Sequence, residues 1–334
     1  MSDSSDVKRR NLAVIRRLLR TGDPYTKQRI AGATGLSVAT CNTFLNELAA
    51  SGEVIGEKTP SHGAGRGAVV YRINEEHETI LCVYFELIRG VASIRCTALS
   101  PSGSVREYAV LAYDNLEERD ILQAVRTWIA KYPNTSQIVV GTPSIAAGGV
   151  IRHCDIPQLD GMPLVADLER AYGVPVMLAN DMHYKVFGYY RHLGEPDEIV
   201  TLVNLPSGVR PGTATVYRGQ VLAGKDQFAG MVGFLDYGDE YDAMSPSAWN
   251  ARDTARPLII SAVTALVAAL NPHRMAFTGD LVEHDDLEWI RCGCERFIPS
   301  EYMPSLAFIE DTDRYYLAGM YGMAIAREED NSIV

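Results

Sequence analysis

No stretch of this 334-residue chain approaches the ~20 consecutive apolar residues that a membrane span needs. The apolar run over 257–270 is short enough to read as a buried helix. A secretory signal is also missing, so a cytoplasmic, nucleoid-associated location is expected and no membrane partner. Cysteine is scarce: Cys41, Cys82, Cys96, Cys154, Cys292 and Cys294 are scattered, mostly in apolar contexts. That excludes a disulfide scaffold and predicts reduced thiols. The only close pair, Cys292-Gly293-Cys294, is tightly spaced for a zinc knuckle and has no second pair, so no metal is expected there. Positive charge is in short supply too, with 31 Lys+Arg against 42 Asp+Glu and a net charge of −11. Taken whole, that balance argues against nucleic acid. Its distribution reverses the argument. Residues 1–73 hold 11 basic and 6 acidic side chains, and the rest holds 20 basic and 36 acidic. A basic head on an acidic body implies that only the head touches phosphate.

The head carries a winged helix-turn-helix pattern. Thr26 is placed to cap a short helix over 26–31, Gly35 to make the tight turn, and Ser37 to cap a second helix reaching Leu48. Their hydroxyls suit these places because they accept from the orphan N–H groups of a first turn. Cys41, Leu45 and Leu48 fall at i, i+4 and i+7 and turn inward. Ser37, Val38, Ala39, Thr40, Asn42, Thr43 and Asn46 are left on the outer side, small and polar as a helix in a major groove must be. Lys27 and Arg29 are candidate phosphate contacts. Two alternating segments, 54–58 and 69–73, read as a hairpin with Arg66 at its glycine-rich tip, a candidate for a narrow minor groove. Ahead of these, residues 8–19 form an amphipathic helix with Leu12, Ile15 and Leu19 inward and Arg9, Arg16, Arg17 and Arg20 outward.

Residues 74–78 mark a polar junction, so the head is read as 1–75 and the body as 76–334. In the body three strands precede a helix over 117–131, then strand and helix alternate as far as Asn180-Asp181 and a helix over 182–192. Strands at 199–204 and 213–217 open a second run, followed by the helix over 257–270, a strand at 275–279 and a closing helix over 315–327. This is an α/β pattern of two lobes, 76–192 plus the closing helix and 193–314, with a cleft between them.

In order and spacing the chain resembles the ROK family of repressors, open reading frames and sugar kinases, over nearly its whole length. The resemblance rests on the helix pair with Gly65-Arg66-Gly67, on Val140-Gly141-Thr142-Pro143 with Gly148-Gly149-Val150-Ile151, on Asn180-Asp181, on the run from Ala229 to Phe234, and on Asn271-Pro272 followed by Phe277-Thr278-Gly279-Asp280. It implies a winged-helix head on a two-lobed, actin-like sugar-kinase body, assembled as a homodimer or tetramer. It places Asp181 where the family has its general base.

Departures from the family pattern redirect the functional reading. Where the kinases have a glycine phosphate turn, this chain has Phe85-Glu86-Leu87-Ile88-Arg89-Gly90, and Glu86 would face ATP with negative charge. The second phosphate loop reads Ser207-Gly208-Val209-Arg210-Pro211-Gly212, and Pro211 has no N–H. Met231 and Phe234 replace a sugar-binding glutamate and a histidine, and the segment 236–256 lacks the zinc cysteines. Neither ATP nor zinc is therefore expected as a cofactor. The resulting expectation is a regulator, not an enzyme, binding a double-stranded DNA operator. Its effector would be a sugar or a less polar molecule held by Asn180, Asp181, His153, Asp155, Asp160, Met231 and Phe234. An active sugar kinase with a DNA-binding head and a ligand-independent DNA-binding protein are the alternatives.

Overall fold

The computed structural model describes residues 4–58, 68–88, 91–154, 156–238 and 249–331. The head begins with α1 (Ser4–Leu19), then β1 (Tyr25–Thr26), α2 (Lys27–Thr34), α3 (Val38–Ala50), β2 (Val54–Lys58) and β3 (Val69–Ile73). The strands form a small sheet in the order β1-β3-β2. Thr26 Oγ1 accepts from Arg29 N at 3.3 Å, and Ser37 Oγ accepts from Thr40 N at 3.0 Å, so both helices start on the expected caps. Gly35 closes α2 with φ 71°, a left-handed conformation that costs glycine little. Leu12, Ile15 and Leu19 of α1 pack with Ile30, Cys41, Phe44, Leu45 and Leu48 into one head core.

Residue 79 starts the first lobe, built from β4 (Thr79–Ile88), β5 (Val91–Leu99), β6 (Val105–Tyr113), α4 (Glu118–Lys131), β7 (Thr135–Thr142), the β8 (Ile145–Ala147) and β9 (Val150–Arg152) hairpin, α5 (Leu164–Tyr172) and β10 (Val176–Asn180). Its sheet runs β10-β7-β4-β5-β6, with β4 parallel to β7 and antiparallel to β5. After α6 (Asp181–Leu193), the second lobe repeats the plan: β11 (Ile199–Asn204), β12 (Gly212–Tyr217), β13 (Gln220–Val221), α7 (Arg252–Leu270), β14 (Arg274–Thr278), α8 (Asp286–Cys294) and β15 (Ser305–Phe308). Its order, β13-β12-β11-β14-β15, read from the β15 edge, matches that of the first sheet strand for strand. The chain closes with α9 (Asp313–Asn331).

Each sheet is covered on both faces. The first packs against α4 and α5 on one side, through Ile121, Val125, Leu164 and Leu168. On the other it meets Tyr184 of α6 and Tyr316, Met320 and Ala324 of α9. The second sheet meets α7 and α8 on one face and α6 on the other, through Met182, Val186 and Phe187. So α6 and α9 lie between the sheets, and both begin at the interlobe cleft. Of the described helices, only α7 is long and apolar enough to cross a membrane. Its Leu258, Ile259, Val263 and Leu266 are buried in the second-lobe core.

Candidate nucleic-acid interface and interlobe cleft

On α3, Val38, Ala39, Thr43 and Asn46 are exposed, while Thr40 and Asn42 are half-buried. Val38 is 46% exposed, which would be wasteful for a core-facing valine. Ser37 and Thr40 share a hydroxyl contact of 2.8 Å at the start of this face. Thr43 Oγ1 donates back to Ala39 O at 3.2 Å, leaving its methyl outward. Lys27 Nζ donates to Asn42 Oδ1 across the turn and lies 5.5 Å from the Tyr71 ring centroid. Lys27 is therefore a support for Asn42 as well as a cation. Arg29 is exposed and stacks over Tyr25 at 5.1 Å. Arg66 lies outside the described residues.

Arg9, Arg16, Arg17 and Arg20, on and just after α1, do not form the open outer face expected of them. Arg16 makes a two-pronged bond to Glu53, at 2.5 and 2.8 Å. Arg9 pairs with Asp6. Arg20 is buried and pairs with Glu328 at 2.8 Å. Arg17 alone of the four is exposed. The partners of Arg16 and Arg20 are remote in sequence, so helical periodicity could not reveal them.

Between the lobes lies a cleft of about 290 Å³. Asn180, Asp181, His153, Met231 and Phe234 all line it, together with Glu86, Lys185, Arg210 and Asp313. Asp160 is corrected: it is exposed, follows the short turn Pro157–Leu159, and lies outside the cleft wall. Asp155 falls outside the described residues. Asn180 caps α6, its Oδ1 accepting from Met182 N at 2.9 Å, and its Nδ2 donates to Ser144 O at 3.0 Å. Both functions of its amide are thus structural. Asp181 Oδ2 sits 2.6 Å from Lys185 Nζ one turn along, and Lys185 lies 5.0 Å over the Tyr316 ring. That carboxylate is thereby engaged in an ion pair within its own helix. The spacing of this pair, i and i+4 on α6, is present in the sequence, but the contact between the two side chains is not.

Glu86, at the end of β4, pairs with Arg95 at 3.1 Å, and Arg95 also holds Asp313 at 2.7 Å. Burial pushes the Glu86 carboxyl up, against the pull of Arg95 and Lys185. On the opposite wall Arg210 stacks 4.7 Å over Phe234. The loop between β11 and β12 has little left for a phosphate. Ser207 N donates to Asp280 Oδ2 at 3.4 Å, Gly208 N to Trp249 O at 3.1 Å, and Pro211 has no N–H. A phosphate cradle requires several free backbone donors converging on one point. In this loop two N–H groups are already bonded and Pro211 offers none. Among the described residues no three His, Cys, Asp or Glu side chains are grouped to hold a metal. Cys292 is exposed and faces Glu288, whereas Cys294 is buried.

His183 is 2% exposed, and burial pushes its imidazole down, against a smaller opposing pull from Asp181. A neutral native histidine stabilises the fold above its ordinary pKa and loses that contribution as pH falls. Stability is thus expected to drop as pH goes below ~6.5, at no more than about 1.4 kcal/mol per pH unit from this group. Urea midpoints between pH 7.5 and 5.5 check this. The slope should flatten in His183→Gln, and an unchanged slope would contradict the assignment.

No protein-family model matches the chain. Its fold is shared with a solved ROK family transcriptional regulator, a homolog of the E. coli MLC protein. That likeness has a TM-score of 0.72 at 14% identity and covers 98% of this chain and 99% of the other. The ROK hexokinase from Thermus thermophilus matches with a TM-score of 0.60 at 18% identity, over 75% of this chain and 99% of the hexokinase. A beta-glucoside kinase from Klebsiella pneumoniae is 25% identical over 154 residues, 44% of this chain. The chain spans about half the length of that curated relative. The fold is accordingly the one seen in that regulator: a winged head joined to a two-lobed α/β body.

Proposed function

We propose that this chain is a ROK-type transcription regulator that binds double-stranded DNA through α3 and uses its kinase-shaped body to assemble and to sense a small molecule. The observation that carries the reading is the pairing of a free, small and polar α3 face with a cleft whose loop between β11 and β12 has Ser207 N and Gly208 N already bonded and Pro211 without an N–H. The likeness to a regulator over 98% of the chain, head included, supports the same reading. The operator would be met by a homodimer or tetramer, with two heads on half-sites about one helical turn or a multiple apart. Only the basic head approaches phosphate, so affinity should fall steeply with salt. Repression follows if the bound head blocks a promoter. The cleft would take a sugar or a less polar effector, since Met231, Phe234 and Phe85 line it beside Asn180 and Asp181.

The kinase relatives favour one alternative, phosphoryl transfer with Asp181 as base. Against it stand the Lys185 pair, Glu86 and the committed loop. ATP is expected neither to raise the melting temperature nor to be consumed with any hexose or amino sugar. Asp181→Asn should leave duplex binding within about twofold of wild type, because no part of α3 touches the cleft. ATP turnover that disappears in Asp181→Asn would overturn the regulator reading.

A further inference from the structure

Arg20 has a place that the DNA-binding reading does not use. It directly follows α1, its N–H donating to Arg16 O at 2.8 Å, so its side chain moves with the head. That side chain is only 7% exposed. Nη2 lies 2.8 Å from Glu328 Oε2 and 3.6 Å from Glu78 Oε1, while Nε is buried without a partner. One guanidinium thus joins three parts of the chain: the head's first helix, the junction before β4, and the last turns of α9. Desolvating an arginine is costly unless carboxylates stay beside it. The joint is therefore strong while Glu328 remains and weak without it.

The far side of the joint is itself fixed. Arg327 Nη1 donates to Val176 O at 2.9 Å, tying the end of α9 to the first sheet. Tyr321 Oη donates to Pro101 O at 2.6 Å one and a half turns earlier. At its other end α9 begins with Asp313, in the cleft wall and bound to Arg95. The helix that closes the cleft at its start therefore holds the head at its finish. The junction is pinned separately, by Ser102 Oγ donating to Glu75 at 2.9 Å and by Asn134 Nδ2 donating to Glu76 O at 3.0 Å. Those bonds hold the junction, whereas Arg20 holds the helices of the head.

We propose that Arg20 is a positioning residue: clamped by Glu328 and Glu78, it fixes the orientation of the head on the body and so sets the spacing of the two half-sites that a dimer reads. The proposal rests on the regulator reading above. A head free to swing would accept half-sites at many separations with a weaker gain from the second contact. A clamped head gains the full avidity at one separation and loses it when the sites are moved out of reach. Both carboxylates lie against the same nitrogen, Nη2, so one guanidinium charge is shared between them.

Selection of duplexes from a random library, using the full chain, tests this. Each pool is sequenced for wild type, Glu328→Gln, Glu328→Asp and Arg20→Gln. Glu328 is 42% exposed, so its neutral isostere leaves the fold intact, and circular dichroism verifies this. Wild type should recover paired half-sites at one spacing. Glu328→Gln and Arg20→Gln should recover the same half-site sequence over a spread of spacings. The preference for the selected spacing over one shifted by about 5 bp, half a helical turn, should fall by about tenfold or more in these variants. Glu328→Asp, which keeps the charge, should restore most of the narrow distribution. An unchanged narrow spacing in Glu328→Gln overturns the proposal, as does an equal loss of affinity at every spacing. A wild-type pool of single, unpaired half-sites overturns the clamp while sparing the DNA-binding reading. A wild-type pool with no enrichment removes both.

Discussion

Asn42→Ala is expected to cost the protein its sequence discrimination, with affinity for a paired operator falling roughly 30-fold or more and affinity for scrambled duplex changing within about twofold. A good side-chain contact to a base edge discriminates by ~1–3 kcal/mol, and in a two-fold dimer both heads lose it, giving about 2–6 kcal/mol in total. Asn42 is the residue for this because its amide is half-exposed on α3 and is steadied by the bond that Lys27 donates to Oδ1. The oxygen has a second lone pair, and Nδ2 is left to donate to a base. The same bond changes what is expected of Lys27. A pure phosphate contact would weaken all sequences alike when removed. Lys27→Ala should instead also blunt discrimination, because it frees the amide to rotate. Fluorescence anisotropy with operator and scrambled duplexes reads both effects. Equal losses on the two duplexes for Asn42→Ala would contradict the placement of α3 in the groove.

Gly319→Ala should be among the most damaging single-methyl changes in the body. Where α6 and α9 cross, Gly188 and Gly319 face each other so closely that a Cβ on Gly319 would land on the Tyr184 carbonyl, and one on Gly188 on the Tyr315 carbonyl. Backbone cannot rotate away as a side chain can. In an open helix, glycine to alanine stabilises by roughly 0.5–1 kcal/mol. Here overpacking opposes that gain with about 1–3 kcal/mol or more, so the sign reverses. Gly32 of α2 is the control, since a Cβ there meets nothing within 4 Å. Urea denaturation should show Gly319→Ala destabilised and Gly32→Ala unchanged or slightly stabilised. A neutral Gly319→Ala would mean that the two helices can separate, and the clamp on Arg20 would lose its rigid support.

The features that read well from sequence are those decided within a few residues. The caps Thr26 and Ser37, the turn at Gly35 and the i, i+4, i+7 face of α3 are local consequences of backbone donors and helical period, and they stand as expected. Strand β11 is another, a β-branched and apolar run broken only by the buried Thr201. What sequence hid is set by partners far along the chain. Arg16 and Arg20 look like solvated arginines until Glu53 and Glu328 come beside them. The sequence pattern starts α7 at Pro257, because proline is favoured in a helix's first turn, whereas the helix begins at Arg252 and tolerates the proline inside. The helix α8 and the four-residue strand β15 are harder to read: α8 is only nine residues long and carries Gly293 in its last turn, and β15 draws its strand character from pairing beside β14. In the cleft, Asn180 and Asp181 were legible as a pair, but their commitments to the α6 cap and to Lys185 were not.

Enrichment of genomic DNA by the purified 334-residue chain, sequenced after washing at about physiological salt, tests the central claim most directly. The expected result is a small set of fragments sharing an inverted repeat of two half-sites, lost when Asn42 is replaced by alanine and retained when Asp181 is replaced by asparagine. Fragments recovered in proportion to the input by wild type and by Asn42→Ala alike would contradict it.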